Sequence, residues 1–294
     1  MNRIFEYTIK QENIPCTVGE FLKNKGFSRQ IIIQLKKTHQ GILVNSEWAY
    51  VRTQLKINDI LTIHLLEEAP SENIIPVPLP LNIVYEDEDI LLINKPADMP
   101  VHPSINNYDN TLANGIAYYY KVQGKSFVFR CINRLDRDTT GLLIIAKNAL
   151  SASILSNQMK KREIHRTYLA VVSGIPEKET DTITAPIARK ENSAIERCVD
   201  FVNGERAVTH YQTVASKEDY SLLKLSLETG RTHQIRVHAK YIGNPLLGDY
   251  LYNPDFSKIQ RVALHSYRLN FVHPITEKLM SFSAPLPKDM ADLF

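Results

Sequence analysis

The chain has 294 residues, 44% of them apolar and 23% charged, a balance that supports a folded core and excludes wholesale disorder. A formal charge of +3 is too mild to identify a polyanion-binding protein, and three scattered cysteines, Cys16, Cys131 and Cys198, form neither a disulfide framework nor a zinc pattern. No run of 18 apolar residues reads as a membrane span and the acidic first residues give no secretion signal, so a protein of the reducing cytoplasm is expected.

Along the chain, Thr17-Val18-Gly19-Glu20 has the form of a capping box and predicts a short helix through Phe21 and Leu22. Ser28 predicts the cap of a second helix, which carries Ile31, Ile32 and Leu35 inward and Arg29, Gln30, Lys36 and Lys37 outward, and which Gly41 stops. Residues 42–44 and 60–63 read as strands, with Asn45-Ser46-Glu47 as a turn. Charge is uneven: residues 1–66 hold nine Lys/Arg against five Asp/Glu, so the rest of the chain is nearly neutral. Such a run is commonly only a solvated face. Two helices followed by small strands, with bases concentrated on the helices, nevertheless resemble the alpha-L RNA-binding module.

Four prolines and three acids between residues 67 and 80 predict an extended, stiff linker spanning 67–81. Residues 82–294 then read as one larger domain. Ile90–Lys95 is a buried strand stopped by Pro96, and Asn148 or Ser151 caps a helix to about Lys161. Residues 167–172 and 223–227 are strands, and Thr232 is expected to cap a helix running to about Ile242, ended by Gly243. Strands without regular strand–helix alternation predict an α+β fold.

Two clusters carry the chemistry. The first is Arg134-Leu135-Asp136-Arg137-Asp138-Thr139-Thr140-Gly141, a charged loop running into an apolar strand. An ionised carboxylate such as Asp136 can attack a sugar carbon or take a proton, provided that a cation keeps it charged in an enclosed site. The second is residues 229–238, where Arg231, His233, Gln234 and Arg236 crowd a helix start. A helix N-terminus favours anions, so cations there fit a phosphate or Asp136 lying opposite, and Arg236 suits the carboxylate as a planar fork. From spacing alone a structural Asp–Arg pair is the plainer reading. Tyr168 could stack on an extruded base, although a strand tyrosine is ordinarily core. No phosphate-binding glycine loop, dinucleotide fingerprint, nucleophile elbow or zinc-protease motif occurs, and no cofactor or metal is expected.

Taken in order, Asn94-Lys95-Pro96, Val101-His102-Pro103, Arg134-Leu135-Asp136, Thr140-Gly141-Leu142, residues 166–170, residues 230–236, Gly248-Asp249 and Leu264-His265 resemble the RluA-type RNA pseudouridine synthases over nearly the whole chain. The resemblance implies a mixed, largely antiparallel central sheet with flanking helices, joined to the small α/β RNA-binding module. It implies isomerisation of uridine in structured RNA, ribosomal or transfer, by a monomer without cofactor. Asp136 would be the catalytic residue, Tyr168 would pack on the flipped uridine, Arg236 would pair with Asp136, and Arg134 would enter the gap left by the base. Arg231, His233, Gln234 and Lys95 would contact substrate, and Arg29, Lys36 and Lys37 would serve the module. The chain departs from the family at Asn133, where histidine is usual, and at Asp98, where glycine is usual. A non-catalytic RNA-binding protein on the same scaffold and a hydrolase using Asp136 with Asp138 are the rival readings.

Overall fold

A computed structural model describes residues 2–66, 71 and 74–294. The predicted linker lies partly on residues 67–70, 72 and 73, outside the described residues. Its C-terminal part does not stand free, because Asn114 donates to the Ile75 carbonyl and Leu79 and Leu81 pack beside Gly115.

The first 65 residues contain β1 (Arg3–Thr8), α1 (Val18–Asn24), α2 (Arg29–Lys37), β2 (Ile42–Val44), β3 (Glu47–Trp48) and β4 (Ile60–Leu65). The capping box forms as predicted, with the Thr17 amide donating to Glu20 and the Glu20 amide to Thr17; Ser28 accepts from the Ile31 amide. β1, which no sequence signal marks, joins the antiparallel sheet in the order β1-β4-β2-β3.

The larger sheet is built from β5 (Ile83–Glu86), β6 (Ile90–Lys95), β7 (Thr140–Ala146), β8 (His165–Ser173), β9 (Thr180–Thr184), β12 (Val208–Ser216), β13 (Tyr220–Leu227), β14 (Leu264–Val272) and β15 (Leu279–Ser283). A separate hairpin pairs β10 (Ile187–Arg189) with β11 (Arg197–Val199). The helices here are α3 (Leu112–Lys121), α4 (Ala149–Lys161), α5 (Gln234–Tyr241) and the short α6 (Lys288–Ala291). Strand order is β5-β6-β7-β14-β8-β13-β12-β9, with β15 on β14. The fold is therefore α+β with a largely antiparallel sheet, and its parallel pairing joins β7 to β14 at the sheet centre. All seven residues of β7 are buried, as a strand covered on both faces requires.

That parallel junction positions the charged loop. Gly141 has φ +109 and lies against Ser266, whose carbonyl would come within 2.3 Å of any Cβ, so only glycine lets the two strands meet there. Beside it the Thr140 hydroxyl bonds His265 Nδ1 at 2.8 Å. The small N-terminal unit is fastened to the same body: Leu150 of α4 belongs to its apolar core, and Arg3 grips Asp89 through two hydrogen bonds of 3.1 Å. Asp89 also accepts from Asn148, the cap of α4. Among the described residues no helix is long and apolar enough to cross a membrane.

Burial pushes the His265 imidazole down to about 4. An unfolded histidine titrates near 6.5. Between those values the unfolded chain binds a proton that the folded chain refuses, so stability rises with pH across the window and is lost on acidification. Urea unfolding of the wild type at pH 6.5 and 4.5 should therefore show a larger loss than in His265→Gln. Equal losses would show that this buried imidazole does not govern the acid limb.

Candidate active site

The loop before β7, the centre of β8 and the first turns of α5 converge on a cleft of about 610 Å³. Asp136, Tyr168 and Arg236, far apart in sequence, all line it. Arg236 is 1% exposed. Its Nε and Nη2 each donate to Asp249 at 2.7 Å, and the remaining Nη1 donates to Asp136 at 3.1 Å. The rings of Tyr250 and Tyr252 each lie 5.1 Å from the guanidinium carbon. Burial opposes the charge, but the bond and field of Asp249, with Asp136 behind them, hold Arg236 above the usual arginine range. The guanidinium is thus a fixed cation, and its free edge faces a carboxylate that is one-third exposed to the cleft.

Asp249 is a partner that the sequence does not reveal. It stands in Gly248-Asp249, but nothing in the spacing assigns it a role. It is completely buried, and its Oδ1 also accepts from the Leu251 and Tyr252 amides in the following turn. Gly248 makes that turn possible at φ +63, where a Cβ would meet the Arg261 carbonyl. Arg166 likewise has no role assigned by its spacing. It lines the cleft two residues before Tyr168, on the same strand face, and its buried Nε has no hydrogen-bond partner among the described residues. Tyr168 is buried, and that burial raises its phenol above the ordinary value, so it stays protonated at neutral pH.

Several expectations change on the structure. The helix does not start at Thr232: His233 occupies the cap position in a left-handed conformation at φ +57, makes no side-chain cap bond, and α5 begins at Gln234. Gln234 does not face substrate as a free amide. Its oxygen accepts from the Arg231 amide and the Thr229 hydroxyl, and its nitrogen donates to the Val208 carbonyl and the Thr209 hydroxyl. Those bonds consume its whole capacity. Lys95 is also displaced from the substrate role. It is fully buried, and its Nζ donates to the carbonyls of Pro96, Met99 and Arg137, tying β6 to the Asp136 loop. Burial pushes Lys95 down to about 7, with Asp138 and Asp136 pulling the other way.

His233 does reach the site. Its Nε2 lies 3.8 Å from Asp136 Oδ2 and its Nδ1 bonds the Tyr252 hydroxyl at 3.0 Å; burial keeps its pKa below the ordinary histidine value. Arg134 and Arg231 are exposed on the cleft wall, Arg231 also meeting Glu205 and the Arg206 carbonyl. With Lys160, Arg162 and Arg166 they give the cleft a cationic wall suited to a phosphate backbone. Arg29, Lys36 and Lys37 are exposed on α2 and do not line the cleft. Asp138 does not line it either; it pairs with Arg137 at 3.2 Å.

The two departures have local explanations. Asp98 adopts φ +53, the left-handed region where glycine is unstrained, and Arg137 lies 3.6 Å from its carboxylate. Asn133 is buried and bridges to β7, accepting from the Ile144 amide and donating to the Leu142 carbonyl.

The sequence profile of the RNA pseudouridylate synthase family matches residues 89–241. An uncharacterized RNA pseudouridine synthase of Bacillus subtilis (strain 168) is 41% identical over 277 residues, covering 94% of this chain and 98% of its own. Ribosomal large subunit pseudouridine synthase D of Zymomonas mobilis is 40% identical over 271 residues, covering 86% and 85%. Among solved structures, human RNA pseudouridylate synthase domain containing 1 matches with a TM-score of 0.59 at 27% identity, over 70% of this chain and 83% of that one. The chain belongs to the RNA pseudouridine synthase family. Its reaction is accordingly the isomerisation of uridine to pseudouridine in RNA.

Removing one member of a buried ion pair typically costs about 3–5 kcal/mol. Asp249→Asn should therefore lower stability by an amount of that order and also lower turnover, because Arg236 loses its anchor. Arg236→Lys should restore little of what Arg236→Ala loses, since an ammonium cannot serve both carboxylates as a planar fork. Urea unfolding with turnover measured on the same preparations checks both. An Asp249→Asn enzyme of wild-type stability and rate would show that Arg236 needs no such anchor.

Proposed function

We propose that Asp136 is the group that acts on the ribose of the target uridine, that Arg236 pairs with it and holds it in place, and that Tyr168 forms the surface against which the extruded base is held. The observation that carries this reading is the single geometry of an accessible carboxylate, 3.1 Å from a buried guanidinium, in a cleft floored by a buried tyrosine. The isomerisation breaks the bond from ribose C1′ to uracil N1, turns the base and forms a bond from C1′ to C5; C5 gives up its proton and N1 takes one up. Asp136 would serve by adding to C1′ or by removing the 2′ proton. Nothing is consumed, so the detached base must stay in place between the two steps. Holding it there uses the proximity effect, worth up to about 7–11 kcal/mol in favourable intramolecular reactions. Extrusion of the base costs a few kcal/mol and favours loops and strained sites.

The substrate proposed is large-subunit ribosomal RNA, by analogy with the relatives named for that activity. The chain would act as a cytoplasmic monomer, with residues 1–66 docking RNA and residues 82–294 performing catalysis. A groove of about 590 Å³ between the two units supports a shared RNA path. Lys23 and Lys25 line it, and Lys160 lines both this groove and the catalytic cleft.

Asp136→Asn should fold normally and release almost no tritium from RNA labelled at uridine C5, whereas Asp138→Asn should stay active because it faces Arg137. A rate above a few per cent of wild type in Asp136→Asn would overturn the assignment. For the docking unit, deletion is a poor test, since it would uncover Leu150 and release Asp89. Changing Arg29, Lys36 and Lys37 together to Gln is better: it should raise the apparent KM with a smaller change in kcat. The log–log salt dependence of RNA binding should flatten by about 0.7–0.9 for each phosphate that is no longer neutralised. Unchanged slope and affinity would make these charges a solvated surface.

A further inference from the structure

Away from the cleft, the N-terminal unit carries aromatic side chains that its core does not use. Trp48, the only tryptophan in the chain, is 57% exposed, and Tyr50 is 64% exposed. Their rings stack at 20° with centroids 6.5 Å apart. His39 adds a third ring 5.7 Å from Trp48, and the Arg52 guanidinium carbon lies 5.9 Å from the Tyr50 ring. The core of the unit is complete without them, filled by Phe5, Phe21, Phe27, Ile31, Leu35 and their neighbours. Trp48 lies on β3, which is an edge strand of the small sheet.

An indole and a phenol left in water at an edge are costly unless something covers them, and the surrounding charge says what does. Lys36 and Lys37 occupy the last turn of α2, separated from His39 by Thr38. From residue 21 to 56 there are seven Lys/Arg and one acid, Glu47. Aromatic faces set among bases suit a chain of flat rings joined by phosphates. In duplex RNA the faces of the bases are already stacked on one another, so such a surface selects unpaired nucleotides.

We infer that His39, Trp48 and Tyr50 form a stacking platform for unpaired nucleotides of the RNA substrate, with Arg52, Lys36 and Lys37 placed for the adjoining phosphates. This rests on the proposed docking role of residues 1–66 and adds a class of nucleotide to it. The platform separates two tasks: the basic residues hold RNA of any form, while the rings require a single-stranded segment next to the target.

Because Trp48 is the sole indole, its fluorescence reports on this surface directly. The full chain is titrated with a short mixed-sequence single-stranded RNA and with a duplex of equal length. Saturable quenching by the single strand, and little by the duplex, is expected. Trp48→Ala and Tyr50→Ala, followed by a label on the RNA, should each weaken single-strand binding roughly tenfold and leave the salt slope unchanged. Arg52→Gln should flatten that slope. With substrate RNA, Trp48→Ala should raise the apparent KM for tritium release more than it lowers kcat. Wild-type enzyme that turns over its substrate with no change in indole emission would overturn the platform and leave the isomerase reading standing. Equal quenching by duplex, or undiminished single-strand binding in both ring variants, would overturn it as well. Quenching by intact ribosomal subunits but not by their deproteinised RNA would assign the surface to a protein.

Discussion

The site is organised by a buried guanidinium that two carboxylates share. Arg236 cannot lose its proton and is only 1% exposed, so its position is set by the groups that neutralise it. Asp249 engages two of its three nitrogens from inside the protein, leaving one edge for Asp136. Had Asp136 been the only partner, the ion pair would have been strongest with the carboxylate fully engaged and unavailable. Division of the fork leaves Asp136 paired and still open to the cleft.

The opposite wall of the site is set by backbone constraints. The Asp136 loop is bounded by the β7–β14 junction, which requires Gly141, and by three carbonyls drawn onto the Lys95 ammonium. Carbonyls left unpaired in a buried region cost about 1–3 kcal/mol each, so Lys95 acts on the loop by holding its backbone. Arg236 and Lys95 illustrate two uses of a buried basic side chain: one presents charge to the cleft, the other shapes the backbone that carries Asp136.

Much of this was legible in the sequence. Thr17 and Ser28 announce their helices through local hydrogen bonds that depend on four consecutive residues, Asn148 is the one of two offered caps that α4 uses, and Ile90–Lys95 declares itself by its apolar run. The Asp136–Arg236 pair emerged because both lie in dense clusters of charged residues. The features that escaped are set by distant partners. Asp249 looks like any turn aspartate until α5 is laid beside it, and β1 has no strong alternation of its own and is fixed by β4. Gln234 and Lys95 resemble substrate contacts in the sequence because residue type shows what a side chain can bond, while the direction in which it points depends on packing. Thr232 lost the cap to His233, which stands there in the left-handed region, while the Gln234 side chain next to it is fixed by Val208 and Thr209 on β12 as well as by the Arg231 amide.

The joint between the two units also bears on how a target nucleotide is chosen. The N-terminal sheet shares Leu150 with α4 and clasps Asp89 through Arg3, and Asp89 in turn secures the cap of α4. Two surfaces joined through a common core behave as the jaws of a caliper whose opening is preset. If residues 1–66 dock RNA as proposed, an RNA that touches both units places its uridine at a fixed span from its other point of contact, and length, not the bases in between, would select the site.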